Sequence, residues 1–439
     1  MRPDVRHDRP VTTADAPRRA PRTFFGHPLG LVTLFSTELW ERFSFYGMRA
    51  ILLYFVTDTA ANDGLGLDEA TGTALVAVYG SVVYLLSVLG GWLADRMIGA
   101  RRSVLYGGVV IASGHVFLAL PGHATAYLGI ILVAVGTGLL KPNVSSMVGQ
   151  LYGREDPRRD SAFSIFYMGI NIGALAAPLV VGAARSVGGY HAGFAVAAFG
   201  MAVALGFYVA GHRLLGTAGI EVPNRLTRAD TPAVLRLAGW VALGVGVAAV
   251  IGWFALDSTA QGPVALLVAI NALAYLAIGA PIVTLVVMFR SPKVSAAERS
   301  RLRAYVPLFV AAVFFWMIAE QASSTLSVYA RDHTTLTLAG VAISPELFQS
   351  VGPAAIIALA PLFAWLWVRL GDRPGTAVKF AIGLALAAVS FLFLALMSGL
   401  ADGGRTPAWV LVAVYVVQTL GELCLSPVGL AATTLLAPR

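Results

Sequence analysis

Long apolar stretches broken by short polar ones dominate the chain. They run at Leu31–Val56, Thr73–Leu93, Val104–Leu120, Ala126–Gln150, Ala162–Ala184 and Ala192–Leu215, and continue at Val234–Leu256, Val264–Phe289, Val306–Ala330, Leu347–Leu370, Ala377–Leu400 and Trp409–Leu436. Each approaches the roughly 20 residues that a helix needs to cross a bilayer. A closed barrel would need shorter, alternating segments. The pattern therefore predicts about 12 membrane-spanning helices and an all-α polytopic protein.

Arginine fixes the expected orientation. Basic residues gather in the N-terminal tail, at Arg101–Arg102, Arg154/Arg158/Arg159 and Arg213/Arg225/Arg228, then at Arg290–Arg303, Arg369/Arg373/Lys379 and Arg439. The intervening loops are poor in them, with Arg331 and Arg405 blurring the pattern slightly. Alternate loops, and both termini, are thus expected on the cytoplasmic side of the membrane.

The composition agrees: of 439 residues, 57% are hydrophobic and 12% charged, against about 25% charged in soluble domains. The net charge of +8 points to loops that meet anionic lipid. No basic run interleaved with aromatics suggests nucleic acid. The single cysteine, Cys424, excludes an intramolecular disulfide, and the histidines show no metal-binding spacing. Residues 1–24, rich in Arg and Pro, are expected to be a disordered cytoplasmic tail. No nucleophile–base pair or phosphate-binding glycine loop suggests an enzyme.

Charge inside these spans changes the picture. The first carries Glu38, Glu41, Arg42, Tyr46 and Arg49, which fall within one arc of about 140° on a helix wheel. A charge at mid-bilayer costs at least about 2.5–3.5 kcal/mol. Four of them must line a wet cavity or pair with neighbouring helices. The second span ends G-G-W-L-A-D-R, with Asp95 and Arg96 at the membrane edge; a latch and an ordinary interfacial cluster are both open readings. Tyr79 lies deeper in that span, either lining a cavity or simply packed. The fourth holds Lys141 before Pro142 and Asn143, so the ammonium either meets an anion at depth or snorkels. Asn171 in the fifth span can serve a cavity or join helices. Glu320 and Gln321 sit at the middle of the ninth span, four residues after Trp316, and Glu422 lies inside the twelfth. A lone intramembrane carboxylate that alternates between burial and a cation can bind and release a proton.

In order, the motifs are E-x-x-E-R-F-x-F-Y at Glu38–Tyr46, G-G-x-x-A-D-R at Gly90–Arg96, K-P-N at Lys141–Asn143 and F-Y-x-x-I-N-x-G at Phe166–Gly173. F-W-x-x-x-E-Q at Phe315–Gln321 and G-E-x-x-L-S-P-V-G-L at Gly421–Leu430 complete the set. Together they resemble the proton-dependent oligopeptide transporter family of the major facilitator superfamily. The resemblance implies a six-helix bundle over residues 25–216, a linker with an extra helical hairpin over 217–303, and a second bundle over 304–439. In the family two more helices follow the last motif; here the sequence ends at Arg439, so those two core helices are expected to be absent, leaving four in the second bundle.

The resemblance also implies a symporter that imports di- and tripeptides across a bacterial cytoplasmic membrane. Its energy source is the proton gradient, with no cofactor, and it is expected to be a monomer. Glu38, Glu41, Arg42 and Glu320 would couple protons. Arg42 and Lys141 would hold the peptide carboxylate, while Asn171 and Glu422 would address its amino end. Tyr46, Tyr79 and Trp316 would line side-chain pockets. Arg49 and Glu320 would also contact the substrate, and would pair with each other as a gate that responds to protonation; Asp95 and Arg96 would form a latch between bundles. Phe45, where the family usually has tyrosine, and Gly352, where it has asparagine, leave open another small cargo such as a peptide-like drug, a modified amino acid or an anion. A non-transporting relative is the remaining alternative.

Overall fold

The computed structural model describes residues 23–153, 155–257, 262–371, 373–401 and 404–436, with backbone only for 426–428 and 430–436. The expected tail at 1–24 lies outside the described residues except for Thr23 and Phe24, as do Arg154 and Arg439 of the basic clusters.

The apolar stretches form helices. They are α1 (Leu29–Thr57), α2 (Glu69–Leu93), α3 (Ala100–Ala119), α4 (His123–Gln150), α5 (Arg158–Ala210) and α6 (Thr231–Phe254). They continue as α7 (Val264–Arg290), α8 (Ala296–Ala319), α9 (Thr325–Asp332), α10 (Val351–Leu370), α11 (Thr376–Gly399) and α12 (Ala408–Leu436). Among the described residues 10 stretches are long and apolar enough to cross a membrane. Helix α1 is too charged for that test, and α5, at 53 residues with a break at Gly188–Gly189, is long enough for two of the expected spans. The side on which α1 begins is called the tail side below, and the other the far side.

Local chemistry sets the boundaries. Asp68 caps α2 by accepting from the Thr71 amide at 3.0 Å, and Ser295 with Glu298 forms a capping box at the start of α8. Helix α8 therefore begins before Val306, inside the basic segment expected to be loop. The fifth and sixth spans run together as α5, bent where Gly188 and Gly189 leave helical geometry, with φ +75° at Gly189. The ninth span departs most from expectation. It is not one helix with Glu320 at its middle: a tight 3-10 turn, Glu320–Ser323, separates α8 from α9. The carboxylate thus stands at a break in the helix.

In lipid, helices associate through close packing more than through burial of apolar surface, so small residues set the approach. A Cβ on Gly90 of α2 would lie 2.1 Å from the Gly138 carbonyl oxygen of α4, and one on Gly173 of α5 would lie 2.3 Å from that of Leu39 in α1. Helices α1 to α5 share one continuous core that includes Leu34, Met48, Ile51, Phe55, Val133 and Phe194. The opposite, apolar arc of α1 faces this core; Phe43 and Met48 are buried. Helices α8 to α12 hold two smaller cores, one around Leu326, Phe348 and Val414, the other around Phe315, Phe380 and Leu425. Helices α6 and α7 form a hairpin, with Asn271 donating to the Gly252 carbonyl at 3.3 Å, and α7 packs along α2.

Candidate transport site

Helix α1 gathers the charge. Arg42 donates from Nε and Nη2 to both carboxylate oxygens of Glu41, at 2.5 and 2.8 Å, and its Nε lies 3.3 Å from Glu38. All three side chains are buried. Arg42 also lies over the Phe45 ring at 5.0 Å, and that ring stacks on Tyr79. Gly173 brings α5 against the backbone of Leu39 and the side chain of Arg42. Among the described residues, Glu38 Oε2 and the Tyr79 hydroxyl are buried here without a hydrogen-bond partner.

Farther along α1, Arg49 donates to Glu320 and, at 2.7 Å, to Ser323 Oγ. This pair joins the first half to the helix break of the second. The Glu320 side chain remains 41% exposed, which leaves it open to solvent or substrate. Trp316, one turn earlier, is exposed. Tyr46 is half-buried and packs edge-on to Phe45.

Pro142 has no amide to offer the carbonyl of Gly138, and that carbonyl faces Gly90 instead. Asn143 donates to the carbonyls of Gly90, at 3.2 Å, and Leu139, at 2.7 Å. The Lys-Pro-Asn motif thereby joins α4 to α2. The Lys141 ammonium sits 4.3 Å from the centre of the Tyr84 ring, a cation–π contact on the neighbouring helix. Asn171 is buried and donates to the Tyr167 carbonyl of its own helix at 2.9 Å. Glu422 is half-buried and forms no ion pair or hydrogen bond among the described residues.

Asp95 and Arg96 lie apart from this group, in the wide turn Ala94–Ile98 that ends α2. Their carbonyls accept from the amides of Asn224 and Leu226, each at 3.0 Å, and Arg101 beyond them donates to the carbonyls of Gly216 and Ala218. These bonds hold the segment after α5.

A family model described as the POT family matches residues 101–439. The chain belongs to the POT family. The uncharacterized transporter YclF of Bacillus subtilis (strain 168) is 48% identical over 421 residues, covering 94% of this chain and 83% of that protein. A di-/tripeptide transporter of Lactococcus lactis subsp. cremoris is 44% identical over 429 residues, covering 95% and 85%. A solved structure of a peptide transporter POT in complex with sulfate, 49% identical, superposes with a TM-score of 0.87 over 95% of this chain and 85% of that one. The chain is thus a membrane transporter of the POT family with the major facilitator superfamily fold, and its family is not one of enzymes.

In this POT family transporter the far-side seam between the halves involves residues that the sequence did not single out. Tyr54 donates to the Ser327 carbonyl at 3.1 Å, Gln349 to that of Ala50 at 3.5 Å, and Ser350 to that of Leu175 at 2.9 Å. Arg331 reaches Thr57 and Glu69. Arg185 pairs with Glu346 at 2.5 Å. Arg185 and Glu346 stand just outside apolar spans, where charge is ordinary, so only the folded chain distinguishes them from interfacial residues.

Proposed function

We propose that the protein is a proton-coupled symporter that imports di- and tripeptides by alternating access, with its N-terminus on the cytoplasmic side. The observation that carries this reading is the sorting of intramembrane charge between the halves. The first half carries Arg42, Arg49 and Lys141 against Glu38 and Glu41, which are both held on Arg42, so its balance is cationic, while the second carries Glu320 and Glu422. A zwitterion bound between them would place its carboxylate toward Arg42 and Lys141 and its ammonium toward Glu422, with Asn171 nearby in the cavity wall. Tyr46, Tyr79 and Trp316 would contact its side chains.

Glu38, Glu41, Arg42 and Glu320 are the coupling groups in this scheme. A proton on Glu41 weakens its hold on Arg42 and frees the guanidinium for the peptide carboxylate. A proton on Glu320 releases Arg49 and loosens the far-side seam. The halves then rock about the midplane site, with Asp95 and Arg96 as the tail-side latch. No cofactor is needed, because the proton gradient supplies the free energy, and the monomer is the working unit.

A second reading keeps the coupling and changes the cargo to a peptide-like drug, a modified amino acid or an anion. It is favoured by Phe45, which stacks on Tyr79 without a hydroxyl of its own, and by Gly352, where among the described residues a Cβ would meet only Thr419 Oγ1, at 3.7 Å.

Uptake of labelled dialanine into proteoliposomes, with and without an inward proton gradient, tests the proposal. Gradient-driven uptake that Glu41→Gln abolishes is the expected result. No uptake of dialanine, together with gradient-driven uptake of another zwitterion or an anion, would transfer the assignment to the second reading.

A further inference from the structure

Glu346 is fully buried in the turn Pro345–Ser350 that leads into α10. Its Oε1 lies 2.5 Å from Arg185 Nε of α5, yet neither atom makes an aligned hydrogen bond among the described residues. The contact is therefore close charge pairing across the two halves, with no directional bond to hold it. Arg185 has a second carboxylate within its own half. Its Nη1 donates to the Tyr190 hydroxyl at 3.4 Å, which in turn donates to Asp58 Oδ2 at 2.9 Å. The rings of Tyr54 and Tyr190 flank the guanidinium at 5.7 and 5.3 Å, keeping it near both acids.

These two acids behave differently if the seam parts. Asp58, at the end of α1, travels with Arg185, whereas Glu346 leaves with the other half. A buried carboxylate without its cation is strongly disfavoured, so the closed seam requires Arg185 beside Glu346. Once the seam is wet, Glu346 is solvated and Arg185 is free to turn to Asp58. We propose that Arg185 is an exchanging latch, paired with Glu346 while the far side is closed and with Asp58 when it is open. The Arg49–Glu320 pair differs, because its carboxylate is partly exposed and open to cargo; the Arg185 latch lies at the seam and sets the balance between closed and open states. The inference rests on the alternating-access reading given above.

The test uses the full chain with Cys424→Ala and Ser350→Cys, reconstituted with the far side facing a membrane-impermeant maleimide. Ser350 is buried where the halves meet, so labelling there reports parting of the seam. In this background Glu346→Gln is expected to label at least about fivefold faster, and Asp58→Asn slower by a similar factor, the range of ordinary coupling between states. The combined variant should return toward the parent rate. Equal rates in all variants, or acceleration by Asp58→Asn, would overturn the latch. Asp58 lies at the membrane edge and is partly exposed, so its variant keeps the test decisive should Glu346→Gln fail to fold. Peptide uptake by the parent is measured separately: opposed labelling shifts without uptake would defeat the transport reading alone, and uptake with unchanged labelling would defeat the latch alone.

Discussion

The ion pairs within α1 and those between the halves are built from the same residue types but differ in what holds them. Arg42, Glu41 and Glu38 share one helix and are sealed in the first half. Rigid-body motion of the halves leaves their separation unchanged, so only a proton or a ligand can alter them. Arg49–Glu320 and Arg185–Glu346 bridge the halves; any opening of the far side must break both. In the proposed scheme a proton on the first kind of pair acts without moving the halves, whereas a proton on the second acts on the seam itself. Coupling requires that they communicate through α1, which carries both Arg42 and Arg49.

Four substitutions would break or sharpen this contrast. Arg42→Ala should have the largest effect, because it leaves two buried carboxylates without their cation. A loss of about 3–5 kcal/mol is expected, read as a collapse of the thermal unfolding midpoint in detergent and loss of all uptake. Glu320→Gln should be gentler to the fold and selective in function. Gradient-driven uptake should fall by at least about tenfold, in line with loss of a charge-assisted pair worth about 1.5–3 kcal/mol, while exchange of internal for external peptide persists. If exchange fails equally, the separation between the two kinds of pair is wrong.

Gly173→Ala tests the packing beneath the first kind of pair. Its Cβ would lie 2.3 Å from the Leu39 carbonyl oxygen, forcing α5 away from α1 at an expected cost of about 1–3 kcal/mol, measured by thermal unfolding. The smallest effect should come from Asp58, outside the membrane. Slight burial pushes its carboxyl up, but hydrogen bonds from Asn62, Tyr190 and the Thr59 amide, with the Arg185 charge, hold it below its ordinary value. A depressed folded value contributes stability above the unfolded value, which is lost as pH falls through the folded one. Asp58→Asn should therefore flatten the decline of the unfolding midpoint below about pH 4, by under about 1 kcal/mol.

Much of this was legible in the chain. Hydropathy placed the spans, and charges on one face of α1 marked the cluster that the fold buries and pairs, because a charged residue in an apolar helix demands a partner. The interruption at Glu320 is marked in the sequence only by the short polar run Glu320–Thr325, which a cavity-lining helix can also carry, and the turn is stabilised by tertiary contacts such as that of Arg49 with Ser323. The true start of α8 was concealed by Arg299, Arg301 and Arg303, although Ser295 and Glu298 carry a helix-start signal. The partnership of Arg185 with Glu346 depends on two distant segments meeting, which no local pattern encodes.

The contacts at the α2–α3 turn have a mechanical corollary. Residues 216–226 are stapled to that turn, and α7 lies along α2, so the hairpin rides with the first half as part of one chassis. The covalent leash between this chassis and the second half is then the connector 291–295, between α7 and α8. A protease site placed in that leash would cut the polypeptide in two, and the fragments should still co-purify through the far-side seam.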